Sequence, residues 1–237
     1  MKNILKVIDT SSKISEKNKI NLTIHQFAES LGNAIDAKDH YTCSHSEEVA
    51  VVSQAIGVQM GLDNECCELI HIAGHLHDIG KIGIPDSILK KTGRLTIEEY
   101  EIIKKHPEMG AQIVAPMASV SGLNIIADTI LHHHERYDGN GYPHGLKGKA
   151  IPLEARIIAV ADTLSAMARD RPYRTAMPFS DIIAEIANCA NSQFDPIVVK
   201  EFLKIADRIE SYYSCGELVS DDFMLSGIDN ELQSMSI

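Results

Sequence analysis

The chain of 237 residues has no apolar run near 18 residues, and its first segment, MKNILKVIDTSSKISEKN, returns to polar residues before an apolar core is built. These two absences speak against a membrane span and a secretory signal, so a cytoplasmic chain is expected. No CxxC pair occurs. The five cysteines (Cys43, Cys66, Cys67, Cys189, Cys215) are odd in number and two are adjacent, a pattern of free thiols in a reducing compartment. Positive charge is scarce as well, with 22 Lys and Arg against 33 Asp and Glu, a net charge of −11. Such a chain lacks the basic face that polymeric nucleic acid or an anionic membrane surface requires, although a local basic cluster can still meet a small anion. Strand patterning is sparse, and neither an internal repeat nor a Pro- or Ser-rich linker divides the sequence. A hydrophobic share of 44% with 23% charged residues is ordinary for a globular chain and excludes a low-complexity one.

Helical periodicity runs through nearly all of the remainder. Ile24, Phe27, Ala28, Leu31 and Ile35 share one helix face, and Val49, Val52, Ile56 and Met60 repeat the spacing in a second helix stopped by Gly61. A third helix is predicted from about Asn64 to Asp78, where GKIGIP breaks it. Thr96 and Glu99 make a capping box for a helix ending near His106-Pro107, and others are predicted at about 109–117, 121–134, 153–168, 180–190 and 196–209. The fold class read from this pattern is all-α, with one helical domain over 23–210 between a leader, 1–22, and a tail, 211–237.

Histidine is crowded. Seven of the eleven (His71, His75, His77, His106, His132, His133, His134) fall between positions 71 and 134. His77 and Asp78 close an apolar helix, and an imidazole beside a carboxylate suits zinc, iron or manganese, the carboxylate being able to bridge two ions. His132, His133 and His134 close another helix. Successive helical residues point about 100° apart, so at most two of these three can converge on one point. His106 precedes a proline at a helix end. Asp162 follows the apolar run IIAVA, and a carboxylate on a core helix needs a cation or donors.

Together HDIGKIGIP (77 to 85), HHERYDGNGYP (133 to 143), RIIAVAD (156 to 162), RDRPYR (169 to 174) and QFDP (193 to 196) resemble, in order, the HD-GYP domains, a branch of the HD phosphohydrolases. The resemblance covers about Asp39 to Phe202. It implies a single compact HD-type helical domain with a metal centre in the bundle core, hydrolysing the bacterial second messenger cyclic di-GMP with iron or manganese. By motif, His45 (in YTCSHS), His77, Asp78 and Asp162 are similar to the ligands of one metal, and Asp78 bridges to a second held by His106, His133 and His134, leaving His132 over. Lys81 resembles the lysine that contacts the scissile phosphate and, with Asp78, is expected to be catalytic. Arg171 and Arg174 resemble phosphate clamps, and Gly141 and Tyr142, in the loop Gly139 to Pro143, are expected to approach guanine or ribose.

Two positions depart from the family pattern. Tyr41 stands where members with a third metal carry Glu, so two metals are expected, with linear pGpG as the main product. Ser165 stands where an acidic residue is common, which bears on the substrate pocket. The resemblance also admits a diguanylate cyclase or sensor partner and a homodimer. Other readings are a catalytically silent signalling module, a di-iron oxygenase, and a phosphodiesterase for another cyclic dinucleotide such as cyclic GMP-AMP. The seven filled metal positions weigh against the first, and the GYP, RPYR and Lys81 features against the second.

Overall fold

The computed structural model describes residues 23–39, 44–119, 123–169 and 176–215. Among these the regular structure is helical, the one departure being an isolated bridge between Ala190 and Phe194. In chain order the helices are α1 over 23–38, α2 His45–Gln59, α3 Asn64–Leu76, α4 Asp86–Leu89, α5 Ile97–Ile103, α6 His106–Val114, α7 Asn124–His132, α8 Leu153–Ala168, α9 Phe179–Asn188, α10 Pro196–Lys204 and α11 Ala206–Cys215. Short 3-10 turns occupy Ile79–Gly83, Ala115–Ser119 and Gly148–Ala150. The described residues fall into a main unit, Ala28–Asp207, and a smaller one made of the helical ends 23–27 and 208–215. No helix among them is long and apolar enough to cross a membrane.

Within the main unit, α2 packs along α3 and α8, α3 also meets α7, and α6 lies between α7 and the turn Ile79–Gly83. Val49, Val52 and Ile56 of the predicted α2 face are buried, as are Ile70 and Ala73 of α3, Ile126 and Ile130 of α7, and Ile157, Ile158 and Leu164 of α8; of the face predicted for α1, Ala28 and Ile35 are buried but Phe27 and Leu31 are exposed. Each large aliphatic side chain so buried contributes about 1.5–3 kcal/mol, which outweighs the weak intrinsic preference of β-branched residues for helix. Asp63 caps α3 by accepting from the Cys66 amide, and the Thr96–Glu99 capping box closes as expected. Asp36 of α1 pins the start of α2 from the side, its two oxygens taking the Ser46 amide at 3.0 Å and the Ser46 hydroxyl at 2.9 Å.

Two close approaches set the layers. A Cβ on Gly74 would lie 2.5 Å from the Ala50 Cα, so α2 and α3 touch backbone to backbone. A Cβ on Gly80 would lie 1.9 Å from the His106 carbonyl oxygen and 2.5 Å from the Gly110 amide, so the turn after Asp78 rests directly on α6.

Several boundaries differ from the sequence reading, each for a local reason. Helix α3 ends at Leu76, with His77 as its C-cap, and the chain tightens into the 3-10 turn. His106-Pro107 opens α6 and does not end α5, since proline is well placed in the first helical turn where its missing N–H costs nothing. Expected helix 196–209 is broken at Ile205 into α10 and α11, and α11 runs on to Cys215, into the segment expected to be a weakly patterned tail.

Candidate metal centre

Four helix ends and one helix interior meet in the core of the main unit. His45 opens α2, His77 and Asp78 follow α3, His106 opens α6, His133 and His134 follow α7, and Asp162 projects from α8. Helix ends place a side chain at a fixed point while leaving room beside the axis, so residues from five elements can converge without steric conflict. The donor atoms of Asp78, His106, His133 and His134 all lie within 4.8 Å of one another, as do those of His45, His77 and Asp162.

Asp78 joins the two groups. Its Oδ1 lies 3.2 Å from His106 Nε2, while its Oδ2 lies 3.3 Å from His77 Nε2 and 3.9 Å from His45 Nε2. Asp162 Oδ1 is 3.3 Å from His45 Nε2 and 3.9 Å from His77 Nε2. Lys81, on the turn that follows, donates to Asp78 Oδ2 at 2.6 Å and to Asp39 Oδ2 at 3.0 Å.

Backbone carbonyls fix the tautomers. A carbonyl only accepts, so the contacts of His77 Nδ1 with Gly74 O (2.7 Å), His106 Nδ1 with Ile103 O (2.8 Å) and His133 Nδ1 with Ile130 O (2.7 Å) place a hydrogen on each Nδ1. In the neutral ring Nε2 is then a lone pair, and all three Nε2 atoms point inward. His45 is set the same way through side chains: the Ser165 hydroxyl donates to Glu48 at 2.6 Å and so accepts from His45 Nδ1 at 2.8 Å. Glu48 is itself held by the Arg169 guanidinium.

This donor set fits a metal. His77 Nε2 is buried and makes no hydrogen bond among the described residues, and the Nε2 atoms of His106 and His133 face each other at 3.3 Å, where two neutral rings protonated on Nδ1 have no hydrogen to share. Inward lone pairs beside the buried Asp78 and half-buried Asp162 carboxylates are the arrangement that a divalent cation satisfies, with the His45, His77, His106 and His133 rings each oriented by a hydrogen bond on the far nitrogen. The ionisation pattern agrees. Burial lowers the affinity of His77 for a proton, yet the Asp78 and Asp162 carboxylates more than offset this and raise its pKa to about 9. Burial and neighbouring imidazoles hold His133 well below the usual histidine range and push His134 down to about 3. Burial alone would raise Asp78 and Asp162, but Lys81 and His77 for the first, and His45 and His77 for the second, hold both below the usual carboxylate range. The site thus keeps two anions, neutral His133 and His134, and a His77 that holds a proton which a cation must displace, so metal binding releases that proton.

Of the other residues singled out in the sequence, Tyr142 stacks on His134, ring centroids 4.9 Å apart at 32°, with the Lys104 ammonium 5.9 Å from its ring. Gly141 is required by proximity: a Cβ there would lie 2.3 Å from the Arg136 amide and 2.6 Å from the His134 carbonyl oxygen. His132 stands apart from the cluster, donating from Nδ1 to Asp128 O at 2.9 Å and accepting at Nε2 from His144 Nδ1 at 3.1 Å. Tyr41, Arg171 and Arg174 lie outside the described residues. The sequence reading missed Asp39, Glu48, Arg169 and Glu135. Glu135, buried beside the triple histidine, accepts from the His144 and Leu146 amides at 2.7 and 3.0 Å and so shapes the loop that carries Tyr142. The sequence signal for it is a glutamate directly after three histidines.

Comparison with known proteins bears on this geometry. A family model described as "HD domain" matches residues 29–198. A cyclic di-GMP phosphodiesterase of Thermotoga maritima is 40% identical over 190 residues, covering 80% of this chain and 51% of the relative. The cyclic di-GMP phosphodiesterase response regulator RpfG of Xanthomonas campestris pv. campestris is 40% identical over 187 residues, covering 79% and 49%. The chain therefore spans about half the length of these relatives. Among solved structures, a cyclic GMP-AMP specific phosphodiesterase of Vibrio cholerae superposes with a TM-score of 0.62 at 18% identity, covering 80% of this chain and 50% of that one, a likeness of fold.

Proposed function

The chain belongs to the HD domain family, and from that premise we propose that its buried centre is a divalent-metal phosphodiesterase site acting on a cyclic dinucleotide, cyclic di-GMP foremost. The observation that carries this reading is the split of the Asp78 carboxylate, one oxygen toward His106 and the other toward His77 and His45. In this reading Asp78, His106, His133 and His134 would hold one ion, and His45, His77 and Asp162, with Asp78 shared, would hold another; mixed imidazole and carboxylate donors suit iron or manganese. Ions so held acidify water near neutral pH and neutralise the non-bridging oxygens of a phosphodiester.

The protein's own groups do the rest. Burial would lower the Lys81 ammonium, but Asp78 and Asp39 more than compensate and keep it protonated, so Nζ can pair with a phosphate oxygen or give a proton to the departing 3′ oxygen. The Ser165–Glu48–Arg169 chain holds the His45 ring against rotation. Tyr142 and Gly141 lie at the rim beside His134, where a base or ribose would rest, and Arg171 and Arg174 are proposed to clamp phosphate. With two ions, hydrolysis ends mainly at linear pGpG, in the cytoplasm.

The test is turnover by the full chain, stripped with chelator and reloaded with iron or manganese, with cyclic di-GMP and 3′3′-cyclic GMP-AMP assayed side by side by chromatography. Metal-dependent conversion of cyclic di-GMP mainly to pGpG supports the reading. Faster turnover of cyclic GMP-AMP would reassign the substrate, mainly GMP would overturn the two-ion product claim, and a metal-loaded chain that leaves both intact would overturn the enzyme.

A further inference from the structure

Two histidines outside that centre share its geometry. His71 and His75 lie one turn apart on α3, the spacing at which two imidazoles share a helix face and can ligate one ion. Their Nε2 atoms are 3.2 Å apart with the rings nearly perpendicular, and Glu47 on the first turn of α2 brings its Oε2 to 3.6 Å from the same His75 Nε2. One nitrogen thus faces both an imidazole and a carboxylate, and a single hydrogen on it serves only one of them. His75 is 2% exposed, whereas the Glu47 side chain is 41% exposed, which gives an ion a route in from solvent.

We propose that His71, His75 and Glu47 form a further transition-metal site, taking zinc or a similar first-row divalent ion by two imidazoles and one carboxylate. The ion ties the first turn of α2 to the second half of α3. Those are the turns that lead out of His45 and into His77, so its role is to brace the helix pair from which the central histidines project. The proposal does not depend on the activity assigned to the centre.

The experiment is a zinc titration of the stripped full chain against a chromophoric chelator, with His71→Gln and Glu47→Gln in parallel and thermal melts of all three. The wild-type chain is expected to take up one zinc per chain more than His71→Gln and to gain more in Tm on zinc addition. Glu47→Gln, at a side chain 41% exposed, is expected to keep the metal-free Tm of the wild type and to weaken that extra zinc by at least about tenfold. Equal zinc counts and affinities in the wild type and both variants would overturn the site.

Discussion

His106 Nε2 and His133 Nε2 stand 3.3 Å apart, each on a ring whose Nδ1–H is already donated to the carbonyl three residues before it. Two neutral rings so oriented turn lone pairs toward each other, so the carbonyls of Ile103 and Ile130 do more than hold the rings: they leave both Nε2 atoms suited to a cation. Because Ile103 ends α5 and Ile130 lies in α7, that orientation is set by secondary structure.

Asp78→Asn keeps the shape of the shared carboxylate and removes its charge. With one anion gone from both halves of the centre, metal content by elemental analysis is expected to fall, and turnover of cyclic di-GMP to drop by at least about a thousandfold, equivalent to about 4 kcal/mol. Circular dichroism should show the helices retained. Full activity in this variant would remove the centre from the reaction.

Lys81→Met separates charge from metal binding, since Lys81 contacts Asp78 and Asp39 and is not itself a metal donor. The expected result is unchanged metal content with kcat lowered by about a hundredfold or more, the size of effect seen when one charge-stabilising donor is removed. Loss of metal together with activity would instead make Lys81 a support for Asp78.

Ser165→Ala cuts the link between His45 and Glu48 at a position 117 residues from one partner and 120 from the other. Removing such an outer partner is expected to weaken metal binding by about 10- to 100-fold, with activity recovered at excess metal. The chain Ser165–Glu48–Arg169 shows why part of the site was hidden from the sequence. His77-Asp78 and the triple histidine announce themselves by local spacing, and α8 was legible to the residue because its apolar period is unbroken from Leu153 to Ala168. Glu48 carries no such signature: it sits among acidic residues on the first turn of α2 and acquires meaning only from residues more than a hundred positions away. The sequence offers His106 as a site residue but predicts a helix end there, because a proline breaks one helix and starts another equally well. His45 rested on the family resemblance alone, and the structure brings its Nε2 to 3.3 Å from Asp162.

Acidity should separate the metal-free from the metal-loaded chain. The His77 pKa is raised from 6.5 to about 9 when the protein folds without metal, so its protonated form adds stability in full below about pH 6.5, and this is lost as pH rises through about 9. The loss is of order 3 kcal/mol. Urea midpoints of the chelated chain at pH 6 and pH 10 are expected to differ in that direction. With metal bound the difference shrinks, since the ion replaces the proton between His77 and the carboxylates. A chelated chain equally stable at both values would contradict the charge pattern described for the centre.

Gly80→Ala tests whether backbone contact, and not side-chain chemistry, places Asp78 beside His106. An added methyl would sit 1.9 Å from the His106 carbonyl oxygen and 2.5 Å from the Gly110 amide, atoms fixed by the first turns of α6, so the turn Ile79–Gly83 and α6 must move apart. Overpacking of this kind typically costs about 1–3 kcal/mol, and contact with backbone puts Gly80 at the upper end. The Asp78 Oδ1 to His106 Nε2 distance, now 3.2 Å, would lengthen with it. The expected outcome is a Tm several degrees lower together with weaker metal binding and lost turnover, although no ligand has been changed. Restored activity at saturating metal would mean that the cation can draw the two elements back together, whereas activity unaffected from the start would show that α6 tolerates the shift and that the contact does not set the centre.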